Sequence, residues 1–291
     1  MSNRETALPD VTMVGTADGM SLACRYLPGE GNPIVALHGF TGDGTTMAPL
    51  IESCRDGRPA ILVDVIGHGS SSAPENVEHY AMPSVVDQIL SLLPGHDPFT
   101  VHLLGYSMGG RIALSMAARA PWFFGSVSLL SSTAGIADVG ERAQRYDDDH
   151  AGASRIERLG VPAFVDDWLS QSLFAPYLDT LAKEEVEATR TQRCAATATG
   201  LANSLRGTGT GSMPPLWEIL PSVRSPLLAV AGELDPKYVD LAEKLGRSAA
   251  FGQSAVITGA GHVVHRENLG EVSAILSVFL KECESHADHE R

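Results

Sequence analysis

The stretch TVHLLGYSMGGRIALSMAARAP, at residues 100–121, decides how the fold is interpreted. Its segment GYSMG, at residues 105–109, matches G-x-S-x-G, in which a serine occupies a sharp turn from a strand into a helix. The preceding TVHLL is typical of a buried strand, and the following GGRIALSMAARA is typical of a helix whose small residues pack closely on a sheet. Because so short a motif also occurs by chance, this context is what makes Ser107 a candidate nucleophile or base.

Short apolar runs alternate with helical stretches on both sides of this turn. The runs are rich in Val, Ile and Leu and are continuous, as in parallel strands that are buried on both faces. They lie at residues 34–37, 61–65, 101–104, 127–130, 227–230 and 255–257. Ahead of them, residues 12–27 predict an antiparallel pair that turns at Asp18-Gly19. The pattern predicts an α/β fold with a mostly parallel sheet and helices on both faces.

The alternation stops near residue 138. From there to residue 214 no strand pattern is present, and apolar residues recur at helical spacing. We predict a helical cap inserted between two strands, ending in a Gly- and Pro-rich loop, RGTGTGSMPP, at residues 206–215. The predicted domains are therefore a core from residues 1–137 and 215–291 and a cap from residues 138–214.

Composition and charge narrow the classes of function. The 291 residues are 44% hydrophobic and 19% charged, which is the composition of a folded protein. A formal net charge of −14 argues against nucleic-acid or anionic-membrane binding, because both depend on clustered Lys and Arg. The N-terminal residues show no signal-peptide pattern, and no apolar run approaches the ~20 residues that span a bilayer. We expect a soluble cytoplasmic protein, either a monomer or a small homo-oligomer.

The four cysteines are scattered without a CxxC pair, which predicts reduced thiols and no metal site.

A serine needs an imidazole to accept its proton, and the imidazole needs an acid to orient it. Downstream of such a turn, the order is Ser, then Asp or Glu, then His. Asp235 follows the predicted strand PLLAVAGE, and His262 follows the predicted strand SAVITGAG. The nearest alternatives are Glu233, which lies closer to its strand end, and His265, which lies where a helix should begin. We favour Ser107, Asp235 and His262 as the catalytic triad.

An oxyanion hole requires backbone N–H donors near the serine. The residue after the nucleophile, Met108, supplies one donor. The loop His38-Gly39-Phe40, directly after the strand PIVAL, supplies the other through the Phe40 amide. Gly39 permits the close backbone approach, and His38 is expected to hold the loop by hydrogen bonds.

The sequence resembles the α/β-hydrolase superfamily over nearly its whole length, from HGF through GYSMGG to GAGH. Within it, the chain is most similar to the 2-succinyl-6-hydroxy-2,4-cyclohexadiene-1-carboxylate synthases, and its cap segments are the discriminating ones. The segments that carry this resemblance are LHGFTGDG (37–44), GYSMGGRIAL (105–114), FVDDWLSQSLF (164–174), LANSLRGTGTGSMPPLW (201–217) and AGELDPKYV (231–239). The chain has Ser212-Met213 where a GxQ form is frequent in this branch.

The resemblance implies a lyase that needs no cofactor or metal. Such an enzyme removes pyruvate from 2-succinyl-5-enolpyruvyl-6-hydroxy-3-cyclohexene-1-carboxylate in menaquinone biosynthesis, with the Ser-His-Asp triad as base. The substrate is a small carboxylate with three acidic groups, and arginine matches a carboxylate with two parallel donors. The resemblance implies substrate contacts from Arg111, Arg145, Arg193, Tyr106 and Trp168. His38, beside the proposed oxyanion hole, is a further candidate for substrate binding.

Other interpretations of these residues stay open at this point. Arg142 could replace Arg145, cap arginines could lie on a solvated helix face, and Trp168 could belong to the core of the cap. Arg111 lies at the start of a helix, where the positive end of the helix dipole disfavours a cation, and this favours a functional reason for the arginine. The whole chain could also be a hydrolase of an ester or of a carbon–carbon bond, or a receptor without catalysis. An arginine-lined pocket would favour the lyase over a simple esterase.

Overall fold

A computed structural model describes residues 8–93, 95 and 97–289, with side chains as far as residue 285. Its centre is a sheet of eight strands in the order β1-β2-β4-β3-β5-β6-β7-β8. β1 and β2, and β2 and β4, pair antiparallel, whereas every other neighbouring pair is parallel. The strands are β1 Thr12–Gly15, β2 Ser21–Leu27, β3 Ile34–Leu37, β4 Ala60–Val63, β5 Val101–Tyr106, β6 Phe124–Leu130, β7 Leu227–Gly232 and β8 Gly252–Ile257.

Helices cover both faces of the sheet, which confirms the predicted fold class. Along β3, the side chains of Val35 and Leu37 pack on one face with α2, α3 and α9, and those of Ile34 and Ala36 pack on the other with α1 and α11. The alternation along a fully buried strand explains why its apolar run is continuous. The helices are α1 Ala48–Cys54, α2 Met82–Leu90, α3 Met108–Arg119, α4 Val139–Leu159, α5 Val161–Leu169, α6 Ala175–Asp179, α7 Lys183–Cys194, α8 Ala198–Thr208, α9 Pro236–Ser248, α10 Val264–Glu267 and α11 Leu269–His289.

The predicted strands and the antiparallel pair all form, with one difference in burial. The turn of that pair includes Gly19, with a φ of 82° that favours glycine. β8 is one of the two edge strands, and its Val256 is exposed rather than buried. An apolar run therefore marks a strand here without showing that both of its faces are covered. No helix among the described residues is long and apolar enough to cross a membrane. Residues 1–7, on which the expectation about a signal peptide partly rests, lie outside the described residues.

Helices α4 to α8 lie between β6 and β7, where the sequence predicts an insertion. α4 begins after Asp138, whose side chain accepts the Glu141 N–H at 2.8 Å. The predicted loop at residues 206–215 begins later than expected, because α8 continues to Thr208. Gly207 lies within α8 and does not end it. Glycine is needed at this position because a Cβ would lie 2.3 Å from the Tyr80 carbonyl oxygen, so the residue allows the helix to pack closely. The division of the chain into core and cap domains stays a prediction.

The turn at residues 105–109 is tightly packed on the neighbouring strands. A Cβ on Gly109 would lie 2.2 Å from the Leu37 carbonyl oxygen, and one on Gly105 would lie 2.3 Å from the Gly109 carbonyl oxygen. Both contacts are with backbone, which cannot move aside as a side chain can. Glycine at both positions thus allows α3 to rest directly on β3 and β5.

We expect Gly109→Ala to lower the free energy of unfolding by about 1–3 kcal/mol, because the added methyl group forces α3 away from β3. Urea denaturation of the purified variant measures this change. The matched control is Gly270→Ala in α11, where a Cβ would meet no atom within 4 Å. A loss of stability no greater than that of the control would contradict the packing constraint.

Candidate active site

The strand ends bring the predicted triad residues to one edge of the sheet. Because β3, β5, β7 and β8 are parallel, the loops after them all emerge at the same edge. Ser107 follows β5 directly and has φ 49° and ψ −106°, a strained conformation for a residue with a Cβ. Its N–H donates to the Leu130 carbonyl at 2.8 Å, and the Ser132 hydroxyl donates to its carbonyl at 2.9 Å. These bonds hold the serine in the strained turn.

The structure joins Ser107, His262 and Asp235 in a chain of hydrogen bonds. The His262 Nε2 atom lies 3.3 Å from Ser107 Oγ, and its Nδ1 lies 2.8 Å from Asp235 Oδ2. His262 is 3% exposed, so these atoms are nearly shielded from water. An imidazole that contacts a carboxylate through Nδ1 and a hydroxyl through Nε2 can take the proton of that hydroxyl.

The two alternative residues lie elsewhere. Glu233 accepts the Gly259 N–H at 2.9 Å at the surface. His265 is buried against Tyr106, with ring centroids 4.5 Å apart. Neither has a hydrogen bond to Ser107 or His262 among the described residues, so the geometry favours the residues chosen from the sequence.

Glu267 holds the segment that carries His262, and sequence reasoning missed this contact. Its two carboxylate oxygens accept the N–H groups of Gly261 at 2.6 Å and of Val263 at 2.8 Å. These are the residues on either side of His262, so the carboxylate brackets the histidine backbone. Burial raises the pKa of Glu267. Its place at the end of the short helix α10, after His262, is the one signal the sequence offered.

The amides of Phe40 and Met108 border the same cavity as Ser107 and His262. Among the described residues, neither N–H has a hydrogen-bond acceptor, which leaves both free to bind an oxyanion. A Cβ on Gly39 would lie 2.6 Å from the Tyr106 ring, so glycine is needed where this loop passes the nucleophile strand.

The cavity has a volume of about 410 Å³ and an unusually charged lining. It contains four basic and two acidic side chains besides the triad histidine. Five of the six candidate substrate-binding side chains are in its wall. Those five are Arg111, Arg145, Arg193, Tyr106 and Trp168.

Arg111 is a buried cation without an anionic partner. It is 8% exposed and donates to the Thr208 carbonyl oxygen, and no carboxylate among the described residues lies within ion-pair distance. Burial lowers its pKa to about 10, so the guanidinium is still charged at neutral pH. A buried charge without a counter-ion is costly, and an anionic ligand would remove that cost.

Arg193 reaches the cavity from α7. It is 8% exposed and donates to the Thr41 hydroxyl and, at 3.4 Å, to the Phe40 carbonyl. Burial lowers its pKa as well. Like Arg111, it has only neutral hydrogen-bond acceptors among the described residues.

The structure also distinguishes the two arginines in the first two turns of α4, Arg142 and Arg145. Arg145 lines the cavity, and its Nε donates to Asp149 Oδ1 at 2.7 Å. The other oxygen of Asp149 accepts the Gly211 N–H at 3.1 Å, which fixes the carboxylate. Arg142 instead donates to the Ile136 carbonyl at 2.8 Å, outside the cavity. Arg145 is therefore the arginine of the two that faces the cavity.

Trp168 has both of the roles that the sequence left open. Its ring stacks on Phe164 at 5.9 Å beside the apolar cluster of α4, α5 and α8 and meets Phe40 edge-on at 5.3 Å. It also lines the cavity, and its buried indole N–H has no partner among the described residues.

His38 is the predicted substrate-binding residue that the structure places elsewhere. Its Nδ1 lies 2.8 Å from the Gly39 carbonyl, and its Nε2 accepts the Val65 N–H at 3.0 Å. Both ring nitrogens are thus used by the backbone, and burial lowers the pKa of the ring. His38 thus holds the loop before Phe40, as expected from the sequence, and its side chain does not belong to the cavity lining. A contact of His38 with substrate stays a prediction.

The comparison with known proteins agrees with this geometry. Residues 34–275 match the model of the Alpha/beta hydrolase family. The chain belongs to this family. Residues from the first parallel strand to the last helix of the α/β hydrolase are thus included in the match.

Individual relatives of this α/β hydrolase carry a more specific name. This chain is 35% identical to a putative 2-succinyl-6-hydroxy-2,4-cyclohexadiene-1-carboxylate synthase of Bacillus subtilis (strain 168), and the match covers 87% of this chain and 92% of the relative. It is 31% identical, over 90% of its length and all of the relative, to the synthase of that name of Salmonella heidelberg (strain SL476). Among solved structures, that of MenH from S. aureus matches with a TM-score of 0.83 and 31% identity, covering 90% of this chain and 98% of that one.

Sequence reasoning missed several cavity residues of the α/β hydrolase. Lys237 and Tyr238 lie at the start of α9, directly after Asp235, and both line the cavity. The Tyr238 ring lies 4.5 Å from the His262 ring, and burial raises its pKa. Their position beside the predicted acid was the available signal. Ser212, at the position where the chain departs from the GxQ form, donates to the Arg206 carbonyl at 2.6 Å and does not line the cavity.

No group of three or more His, Cys, Asp or Glu side chains in the described part of the chain could hold a metal ion. The chemistry available to the cavity is that of the Ser-His-Asp chain, two free amides and the buried arginines.

We expect Glu267→Gln to disturb the position of His262, because one carboxylate oxygen becomes an amide group that cannot accept an N–H. The downfield proton NMR signal of the His262 Nδ1–H, bonded to Asp235, should shift or broaden, and any turnover should fall about tenfold. Glu243→Gln, which removes only a surface pair with Arg247, is the control. An unchanged NMR signal in a folded Glu267→Gln variant would contradict the assigned role.

Proposed function

We propose that this α/β hydrolase is a lyase that eliminates pyruvate from 2-succinyl-5-enolpyruvyl-6-hydroxy-3-cyclohexene-1-carboxylate. The product would be 2-succinyl-6-hydroxy-2,4-cyclohexadiene-1-carboxylate, an intermediate of menaquinone biosynthesis. The observation that carries the proposal is a pair of buried arginines, Arg111 and Arg193, without carboxylate partners in the cavity of Ser107. The relatives that bear the synthase name support it over most of the chain.

The charge of the cavity suits this substrate better than a neutral ester. Arg111, Arg145, Arg193 and Lys237 face a space that also holds the carboxylates of Asp148 and Asp149. The excess of positive charge favours a small molecule with several carboxylates, since each buried arginine gains a counter-ion on binding. A simple esterase binds an apolar acyl chain and has no use for such a lining.

In the proposed reaction, the triad acts as a base. His262 takes the proton of Ser107, and Ser107 Oγ removes the ring proton beside the succinyl carbonyl. The electrons left on carbon are delocalised onto that carbonyl, whose oxyanion accepts the N–H groups of Phe40 and Met108. They then return to form a double bond between C2 and C3, the existing double bond between C3 and C4 shifts to C4 and C5, and the bond from C5 to the enolpyruvyl oxygen breaks. The enolpyruvyl group leaves with the bonding electrons and becomes pyruvate by taking up a proton.

Asp235 would keep His262 in the tautomer that can accept the serine proton. Tyr106 and Trp168 supply the apolar part of the wall, against which the cyclohexene ring can rest. Burial raises the pKa of Tyr106, so its hydroxyl is neutral and can only donate or accept a hydrogen bond.

The decisive experiment is to incubate the purified protein with the enolpyruvyl precursor and measure pyruvate. We expect release far above the spontaneous rate, and a loss of about a thousandfold or more in Ser107→Ala and in His262→Ala. Ser115→Ala is the control, because this hydroxyl donates to the Arg111 carbonyl on α3 and does not line the cavity. Fast hydrolysis of p-nitrophenyl esters without pyruvate release would refute the lyase and favour a hydrolase.

Replacement of the buried cation tests the binding role. Arg111→Gln should lower kcat/KM for the precursor by about a hundredfold, because a charge-assisted contact to a carboxylate is lost. Arg142→Gln, which removes a side chain outside the cavity, should leave kcat/KM within about twofold of the wild-type value. Equal kcat/KM values for the two variants would remove Arg111 from the site.

We also propose that the protein acts in the cytoplasm. All four cysteines are free, and three of them, Cys24, Cys54 and Cys283, are buried thiols. Free thiols are typical of a reducing compartment. The proposed partner is the small carboxylate substrate.

A further inference from the structure

A second cavity lies beside the first and is not used by the proposed mechanism. Its volume is about 230 Å³, and Phe40, Tyr106 and Arg193 belong to the walls of both cavities. Two exposed residues of α7, Glu185 and Ala188, line it as well, so the second cavity reaches the surface.

The second cavity places two arginines together. Arg193 is buried in its wall, and Arg266, from α10, is exposed beside it. No carboxylate among the described residues forms an ion pair with either. Burial lowers the pKa of Arg193, and repulsion by the charge of Arg266 lowers it further. The acidic side chain in the described lining is Glu185, which accepts the Ala182 N–H at 2.8 Å to cap α7.

A buried histidine completes the polar wall. His265 is 1% exposed, and its Nδ1 has no hydrogen-bond partner among the described residues. Burial lowers its pKa to about 3, so the ring is neutral at physiological pH and can donate a hydrogen bond from one nitrogen. Tyr177 and Thr189 add hydroxyl groups to the same wall. Two unpaired cations among neutral donors form a site for an anion.

We propose that the second cavity binds a small carboxylate between Arg193 and Arg266, and that its occupant is the 2-oxo acid released in the first cavity. The identity of the occupant rests on the proposed function. Since Arg193 borders both cavities, a carboxylate that leaves the first can move to Arg266 without losing its counter-ion. The 2-oxo acid thereby reaches the surface along α7 while the larger ring product still occupies the first cavity.

Binding is tested without turnover, by calorimetric titration of pyruvate into the full chain. Arg266→Gln should weaken binding about tenfold, because it removes one charge-assisted hydrogen bond. Ala188→Phe should abolish binding, because the ring fills the mouth of the second cavity. Arg247→Gln and Ala195→Phe are the controls, since both lie outside the two cavities. Wild-type affinity in Ala188→Phe and Arg266→Gln would overturn the proposal by placing pyruvate in the first cavity or nowhere specific.

Inorganic phosphate serves as the competing anion. Binding of phosphate tighter than that of pyruvate would overturn the assignment to a carboxylate.

Kinetics with the enolpyruvyl precursor separate the two proposals. Ala188→Phe should weaken inhibition by pyruvate and leave the KM for the precursor unchanged, and equal inhibition of variant and wild type would overturn the exit site. Absence of pyruvate release from the precursor would refute the lyase and with it the identity of the occupant, whereas pyruvate binding that is lost in Ala188→Phe would still support the carboxylate site.

Discussion

The close packing of α3 on β3 and β5 is the constraint on which the site depends. At Gly109 the helix comes so near the Leu37 carbonyl that any Cβ would lie 2.2 Å from its oxygen. The chain turns sharply just before this contact, at Ser107 with φ 49°, and the Met108 amide that follows borders the same cavity as the Phe40 amide. The strain in the turn is held by hydrogen bonds from neighbouring strand ends, so the sheet must be intact before the serine is in place.

The second physical theme is desolvated positive charge. Arg111 comes from the core and Arg193 from the helices between β6 and β7, and each is stabilised only by neutral oxygen acceptors among the described residues. Such an arrangement is costly in the free protein and becomes favourable when an anion enters. The net charge of −14 gives no sign of this local potential, because a few placed cations decide it.

The segment from Gly261 to Glu267 serves both cavities. His262 faces Ser107, Glu267 brackets the backbone of His262, and His265 with Arg266 lines the second cavity. Seven residues thus connect the proposed chemistry with the proposed exit of its small product. A substitution in this segment can affect rate, product release or both, which is why the tests use side chains with separate contacts.

The sequence by itself determined the order of the strands along the chain, the strained serine turn and the Ser, Asp and His positions, because these follow from local pattern and chain order. It also indicated Arg111, which is adjacent to the turn. Only the tertiary structure decided between Arg142 and Arg145, showed that His38 does not line the cavity, and revealed Glu267 and Lys237. Those outcomes depend on which way a side chain points after helices from distant parts of the chain have packed together. Sequence spacing specifies the face of a helix, whereas the partner that this face meets is set by packing across the whole fold.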